Sequence, residues 1–223
     1  AMAFWNLFLS VFSAIGFARA FPALVHTWTH YNIEENFCFD PESHFASGST
    51  GLWVLAFVLS KFPELFDTFF IVIHKKPLIF LHWYHHISVL LYCWHSYVNR
   101  APHGIIFVVM NYAVHAIMYF YYFLIAAKCK PKAFNAVYIT MAQISQMIVG
   151  VAVTITGCYF LWFDKSFSKE CHLSTDNNIA ALLMYGSYLF LFMEFFLKRY
   201  IGGKKKKTKM KNGIANGSHK KVN

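Results

Sequence analysis

The feature that most constrains this chain is a series of apolar stretches, each near twenty residues long, separated by short loops where the charges collect. An α-helix needs roughly 18 or more apolar residues to cross a bilayer. We read such stretches at about 4–25, 50–73, 78–98, 104–127, 134–162 and 178–200. In lipid every backbone N–H and C=O must be paired within the protein, and these stretches are too long for barrel strands. The expectation is an all-α integral membrane protein with six transmembrane helices. Composition agrees, with 57% of residues hydrophobic and 13% charged, against about a quarter charged in soluble domains. A transmembrane domain over 1–200 is expected, followed by a disordered basic tail over 201–223.

The net charge of +10 is concentrated rather than spread. Lys75 and Lys76 share one loop, Lys128, Lys130 and Lys132 another, and Lys198, Arg199 and Lys204 to Lys207 stand at and beyond the end of the last stretch. The loop near 30–47 is acidic instead, with Glu34, Glu35, Asp40 and Glu42. Lysine-rich loops favour the cytosol, so a six-span chain places both termini there. No folded basic surface for nucleic acid is expected. Cys38 and Cys171 then share the opposite, oxidising side and can pair; the alternative is two unpaired thiols in unrelated loops. Lys220 and Lys221 stand four and three places from the C-terminus, the pattern of a dilysine retrieval signal for the endoplasmic reticulum, an address rather than an anchor.

Ionisable residues inside spans are costly and by default mark function. KFPELFDT holds Lys61, Glu64, Asp67 and Thr68 on broadly one helical face, either an ion-paired packing clasp or part of a site. LHWYHH holds His82, His85 and His86, which helical geometry confines to an arc of about 100°. Clustered imidazoles serve metal ligation or nucleophilic and acid–base chemistry. MNYAVHAIMYFYY carries Asn111, His115, Tyr119 and Tyr122 as a stripe. Thr140, Gln143 and Gln146 follow at helical spacing, to cross-link helices or to line a tunnel. The other histidines, including His95 and His103, are expected in or near loops and solvated.

Membrane diiron desaturases and hydroxylases use several histidine boxes, whereas this chain has one HxxHH and a solitary His115. The histidines and acids are too few for that site, so metal-free chemistry is expected; a diiron hydroxylase and a non-catalytic lipid transporter are the rivals. No CxxC pair suggests zinc.

KFPELFDT, LHWYHH, NYAVHAIMYFYY and TMAQISQ stand in this order along the chain. Together they resemble the ELO family of very-long-chain fatty-acid elongases, over nearly the whole chain. The HWYHH wording is most similar to the subfamily acting on saturated and monounsaturated acyl-CoAs of palmitate type. The resemblance implies seven spans, the last six forming a barrel around an acyl tunnel closed at the lumen. This chain is accordingly read as lacking the first span and keeping the site. Glu194 in MEFF departs from the family pattern, where a neutral polar residue or His is expected.

The resemblance further implies condensation of acyl-CoA with malonyl-CoA to give 3-oxoacyl-CoA, carbon dioxide and CoA, with no cofactor. His85 would carry the acyl group or act as base, and His115 would assist decarboxylation. His82 and His86 would tune His85, with Asn111 and Tyr119 supporting His115. The remaining polar positions, Lys61, Glu64, Asp67, Tyr122, Gln143 and Gln146, would bind or support. A 3-ketoacyl reductase, a dehydratase and an enoyl reductase are the implied partners in the endoplasmic reticulum membrane, with a homo-oligomer also compatible.

Overall fold

The computed structural model describes residues 2–129, 135–163 and 171–202, and among them every regular element is helical. α1 runs Met2–His30, α2 Ile33–Cys38, α3 Pro41–His44 and α4 Gly48–Ser60. A 3-10 turn over Pro63–Leu65 leads into α5, Phe66–Ile73. α6 spans Phe80–Val98, α7 Gly104–Ala126, α8 Ala136–Trp162 and α9 Thr175–Phe196, followed by a π turn at Leu197–Gly202. The first two residues of the expected tail, 201–202, belong to that π turn; 203–223, with Lys220 and Lys221, and likewise Lys130 and Lys132, lie outside the described residues.

Four segments among the described residues are long and apolar enough to cross a membrane: α1, α7, α8 and α9 with its π turn. α6 has 19 residues but carries its histidines and serines on the same length. The stretch read as 50–73 is not one helix. Pro63 has no N–H to donate, and the backbone tightens around it into bonds from Lys61 N to Val58 O (3.3 Å) and from Phe62 N to Leu59 O (3.2 Å). The break follows from the i→i+3 pattern, which draws Lys61 and Glu64 together.

Small residues set the helix pairings. Ser10 Oγ on α1 donates to Ala116 O on α7 at 2.8 Å, and Gly16 lies against the Tyr112 ring, where an added Cβ would stand 2.4 Å from a ring carbon. As numbers rise on α1 they fall on α7, so the pair is antiparallel. α8 and α9 repeat the device, with Gly150 under Tyr185 and Gly157 under Asn178. Close approach through glycine is how helices associate where lipid removes the hydrophobic drive between them. α6 is tied to α9 by polar bonds instead, from Tyr84 OH to Ser187 Oγ (2.9 Å) and from His95 Nδ1 to Asn177 Oδ1 (2.9 Å).

These directions gather Lys75, Lys76, Lys128, Lys198 and Arg199 at one end of the bundle. The other end is built from α2, α3 and the residues before α9. There Cys38 and Cys171 are joined by a disulfide, and His172 N donates to Cys38 O at 3.1 Å. His103, expected in a solvated loop, is instead 0% exposed. Its ring lies 5.9 Å from that of Phe37 and 5.2 Å from that of Phe107, because the α6–α7 turn tucks beneath α2 rather than into water.

Candidate functional site

The first part of the site grows from the break at Pro63. Lys61 is 2% exposed, and its Nζ donates to Glu64 Oε1 at 2.7 Å and to Asn111 Oδ1 at 3.0 Å. The ammonium also sits 4.2 Å above the Phe57 ring. Ser60 Oγ gives Glu64 Oε1 a second donor at 3.1 Å. His115 Nδ1 stands 3.9 Å from that same oxygen. Glu64 Oε2 is buried without a hydrogen-bond partner among the described residues. A buried ion pair persists only when its remaining lone pairs and protons are largely matched, and this one is matched on one carboxylate oxygen only.

The second part is the start of α6. The rings of His82 and His86 are 4.4 Å apart, and those of His85 and His86 5.5 Å. His82 Nε2 and Thr68 Oγ1 are 3.1 Å apart, so His82 is tied to α5 rather than to His85. His85 faces α9, with its ring 5.0 Å from Tyr188 and 6.5 Å from Phe192. Tyr188 OH donates to His85 O at 3.2 Å and shares a 2.7 Å hydrogen bond with Ser88 Oγ. These contacts hold the backbone and one face of His85 and leave its ring nitrogens unengaged by protein among the described residues.

The α7 stripe divides. Asn111 and His115 meet the Lys61–Glu64 pair, whereas Tyr119 OH donates to Asp67 Oδ2 at 2.6 Å. Trp5 Nε1 donates to the other carboxylate oxygen at 2.9 Å. Asp67 thus belongs to a clasp between α1, α5 and α7, one helical turn away from Glu64. Tyr119 thus gives its hydroxyl to Asp67, while its ring packs edge-on against His115 at 5.4 Å. Tyr122 stands three turns from Asn111, within about 20° of it around the helix axis; it is 45% exposed, with its ring 5.8 Å from that of Tyr121. On α8, Gln143 Nε2 reaches Met118 Sδ at 3.2 Å, a link to α7, while Gln146 is buried. Glu194 pairs with Lys198 on the exposed end of α9.

A cavity of about 330 Å³ meets these parts at His85, Asn111 and Gln146; Lys61, Glu64, His82, His86 and His115 do not line it. His85, Asn111 and Gln146 line one end, and its walls are apolar, with Val54, Val89 and Phe107 among them. Sequence reasoning missed Tyr188, Ser60 and Trp5. Tyr185 and Tyr188 stand three apart inside a span, the same polar-aromatic signal that marked α7. Ser60 and Trp5 carried no such signal. Among the described residues, no group of three His, Cys, Asp or Glu side chains is placed to hold a metal ion.

Residues 1–208 match the ELO (GNS1/SUR4) family. The chain is 45% identical over 203 residues to a protein of Drosophila melanogaster named very long chain fatty acid elongase 6, covering 90% of this chain and 63% of that one. It is 43% identical over 206 residues to the human protein of that name, covering 92% and 75%. A fatty acid elongase 3 of Trypanosoma cruzi is 39% identical over 239 residues, covering 96% and 78%. The chain thus spans less than two thirds of the fly relative's length. With the family match running through all four motifs, this chain belongs to the ELO family.

Proposed function

We propose that this chain is the condensing enzyme of fatty-acid elongation, joining a long-chain acyl-CoA to malonyl-CoA. The observation that carries the reading is His85 at one end of an apolar cavity, with Asn111 at the same end and Asn111 bonded to the Lys61–Glu64 pair. An apolar chain fills such a cavity while its thioester waits beside an imidazole and buried polar groups.

In the reaction, an imidazole nitrogen of His85 attacks the acyl thioester carbon and CoA leaves as thiolate. Splitting one hard displacement into two is the gain of covalent catalysis. Malonyl-CoA then loses carbon dioxide, and the electron pair of the broken C–C bond becomes an enolate. The enolate carbon attacks the acyl-imidazole, frees His85 and yields 3-oxoacyl-CoA; one proton is taken up by the departed thiolate. His115, with Nδ1 directed toward Glu64, offers its other nitrogen to the enolate oxygen. Stabilising charge where it develops is the larger part of such catalysis. No redox or metal cofactor enters this balance. In a second form of the mechanism His85 acts as general base with both CoA esters bound.

The six spans, with α4 and α5 as one broken span, would form a barrel around the acyl chain, the lysines facing the cytosol and CoA phosphates. The disulfide at the other end suits an oxidising lumen, and residence in the endoplasmic reticulum with reductase and dehydratase partners fits this setting. The test supplies purified protein with palmitoyl-CoA and labelled malonyl-CoA. We expect label in 3-oxoacyl product, none with His85→Ala, and an acylated His85 by mass spectrometry when malonyl-CoA is withheld. Full activity of His85→Ala would refute the role given to this residue.

A further inference from the structure

α1 carries a charge where a membrane helix rarely has one. Arg19 lies within the 29 residues of Met2–His30, a helix long and apolar enough to cross a membrane. The exposed stripe of α1 runs through Phe8, Ile15, Arg19, Pro22 and His26. The packed side is a different one, with Ser13, Gly16 and Ala20 buried and Gly16 against Tyr112 of α7. Among the described residues Arg19 has no ion pair, hydrogen bond or cation–π partner.

The depth of Arg19 follows from the helical rise. It stands about 26 Å from the start of α1 and about 17 Å from its end. Sliding the helix until a hydrocarbon layer of about 30 Å ended at Arg19 would put Phe21, Val25 and Trp28, exposed by 43%, 42% and 44%, into water. The guanidinium therefore starts deep in the apolar layer. Arginine reaches the interface readily only from near a helix end. Arg19 is three turns from His30, and its Cα–Cβ bond tilts toward the other end. A charge at such depth is costly, and such residues are kept with a partner. Pro22, inside α1, marks the same level: it has no N–H to give the carbonyl of Ala18.

A second copy of the chain does not supply that partner, because its α1 brings another arginine. Glu64 is held by Lys61 and Ser60, Asp67 by Trp5 and Tyr119, and Glu194 by Lys198 at the far end of α9. The other described acids lie in or beside α2 and α3, or in the first turn of α9, at the disulfide end. No described carboxylate is free at the level of Arg19.

We propose that this face of α1 docks a transmembrane helix of another protein, one that carries a carboxylate at mid-depth to pair with Arg19. A guanidinium takes a carboxylate through two parallel hydrogen bonds, which sets the register of the two helices as well as holding them. The proposal needs only that α1 crosses the bilayer, and it stands apart from the reaction given to the histidines.

The test labels the exposed Cys129 of the protein in phosphatidylcholine vesicles. It reads energy transfer to Leu-rich membrane-spanning peptides that differ at one central position, Glu, Leu or Lys. We expect wild type to bind the Glu peptide about tenfold more tightly than the Leu peptide. Arg19→Leu should lose that preference, Arg19→Lys should keep most of it, and Arg19→Glu should turn it toward the Lys peptide. The three peptides compared on wild type alone keep the test decisive if a variant fails to insert. Equal binding of all three by wild type, or a Glu preference that survives in Arg19→Leu, overturns the proposal. So does energy transfer between wild-type copies that Arg19→Leu abolishes, which would give the face to a second copy. Loss of the Glu preference on adding phosphatidic acid also overturns it, by giving Arg19 to a lipid phosphate.

Discussion

Tyr119 on α7 donates its hydroxyl proton to Asp67 Oδ2 on α5 at 2.6 Å, while Trp5 on α1 holds the other oxygen of that carboxylate at 2.9 Å. One side chain thus fastens three helices, and the next residue, Thr68, reaches His82. Asp67→Ala leaves a phenol and an indole N–H without their acceptor. Unpaired buried groups cost about 1–3 kcal/mol each. We expect a lower unfolding temperature in detergent and reduced turnover, with Asp67→Asn intermediate because it retains one acceptor oxygen. A variant as stable as wild type would remove Asp67 from its role as a clasp.

The Lys61–Glu64 pair gives a prediction with an asymmetry. Removing one partner strands the other charge, so Lys61→Met or Glu64→Leu alone should destabilise by roughly 3–5 kcal/mol. Changing both to apolar residues should cost far less in stability, while activity stays lost because His115 and Asn111 lose their polar neighbours. Unfolding in denaturant and malonyl incorporation, measured on the same four proteins, separate the structural contribution from the catalytic one.

Cys38 and Cys171 lie 133 residues apart in sequence. A cross-link closing so long a loop restricts the unfolded chain, and its loss typically costs about 2–5 kcal/mol. Cys38→Ser should therefore lower the unfolding temperature by the same amount as Cys171→Ser, and the double change should add little to either. A double change that loses the sum of the two single losses would show that the cysteines act separately.

Burial pushes the imidazole of His103, in the turn between α6 and α7, down to about 4. In the unfolded chain it titrates near 6.5. Unfolded protein therefore binds the proton first as pH falls, so the stability linked to His103 is fully present above about 6.5 and drains away toward 4. Thermal unfolding followed from pH 7.5 to 4.5 should show this decline, and His103→Leu should flatten it. A slope unaltered by that substitution would place the proton elsewhere.

The motifs were legible in the chain because lipid makes buried polarity rare. Lys61, Glu64, His82, His85, His86 and His115 stood out against long apolar stretches, and the helical period placed them on common faces. The same reasoning missed the division of labour among them. Asp67 and Glu64 are three apart, as near to each other on a helix as Glu64 and Lys61, and nothing in the spacing tells that one carboxylate turns to Trp5 and Tyr119 while the other meets Lys61. Tyr188 went unnoticed because its role depends on α9 lying against α6, a contact between residues a hundred positions apart.

What the amino-acid sequence determined by itself is the all-helical class and the polar residues inserted into it, since backbone pairing in lipid and the cost of buried charge act on each segment locally. The tertiary structure decided which of those residues meet. It bent the second stretch at Pro63, gave Asn111 and His115 to the Lys61–Glu64 pair, and buried His103. These outcomes depend on how glycine-thin helix faces such as Gly16 and Gly150 let particular neighbours approach, and that is a property of pairs of helices, which no single stretch of sequence encodes.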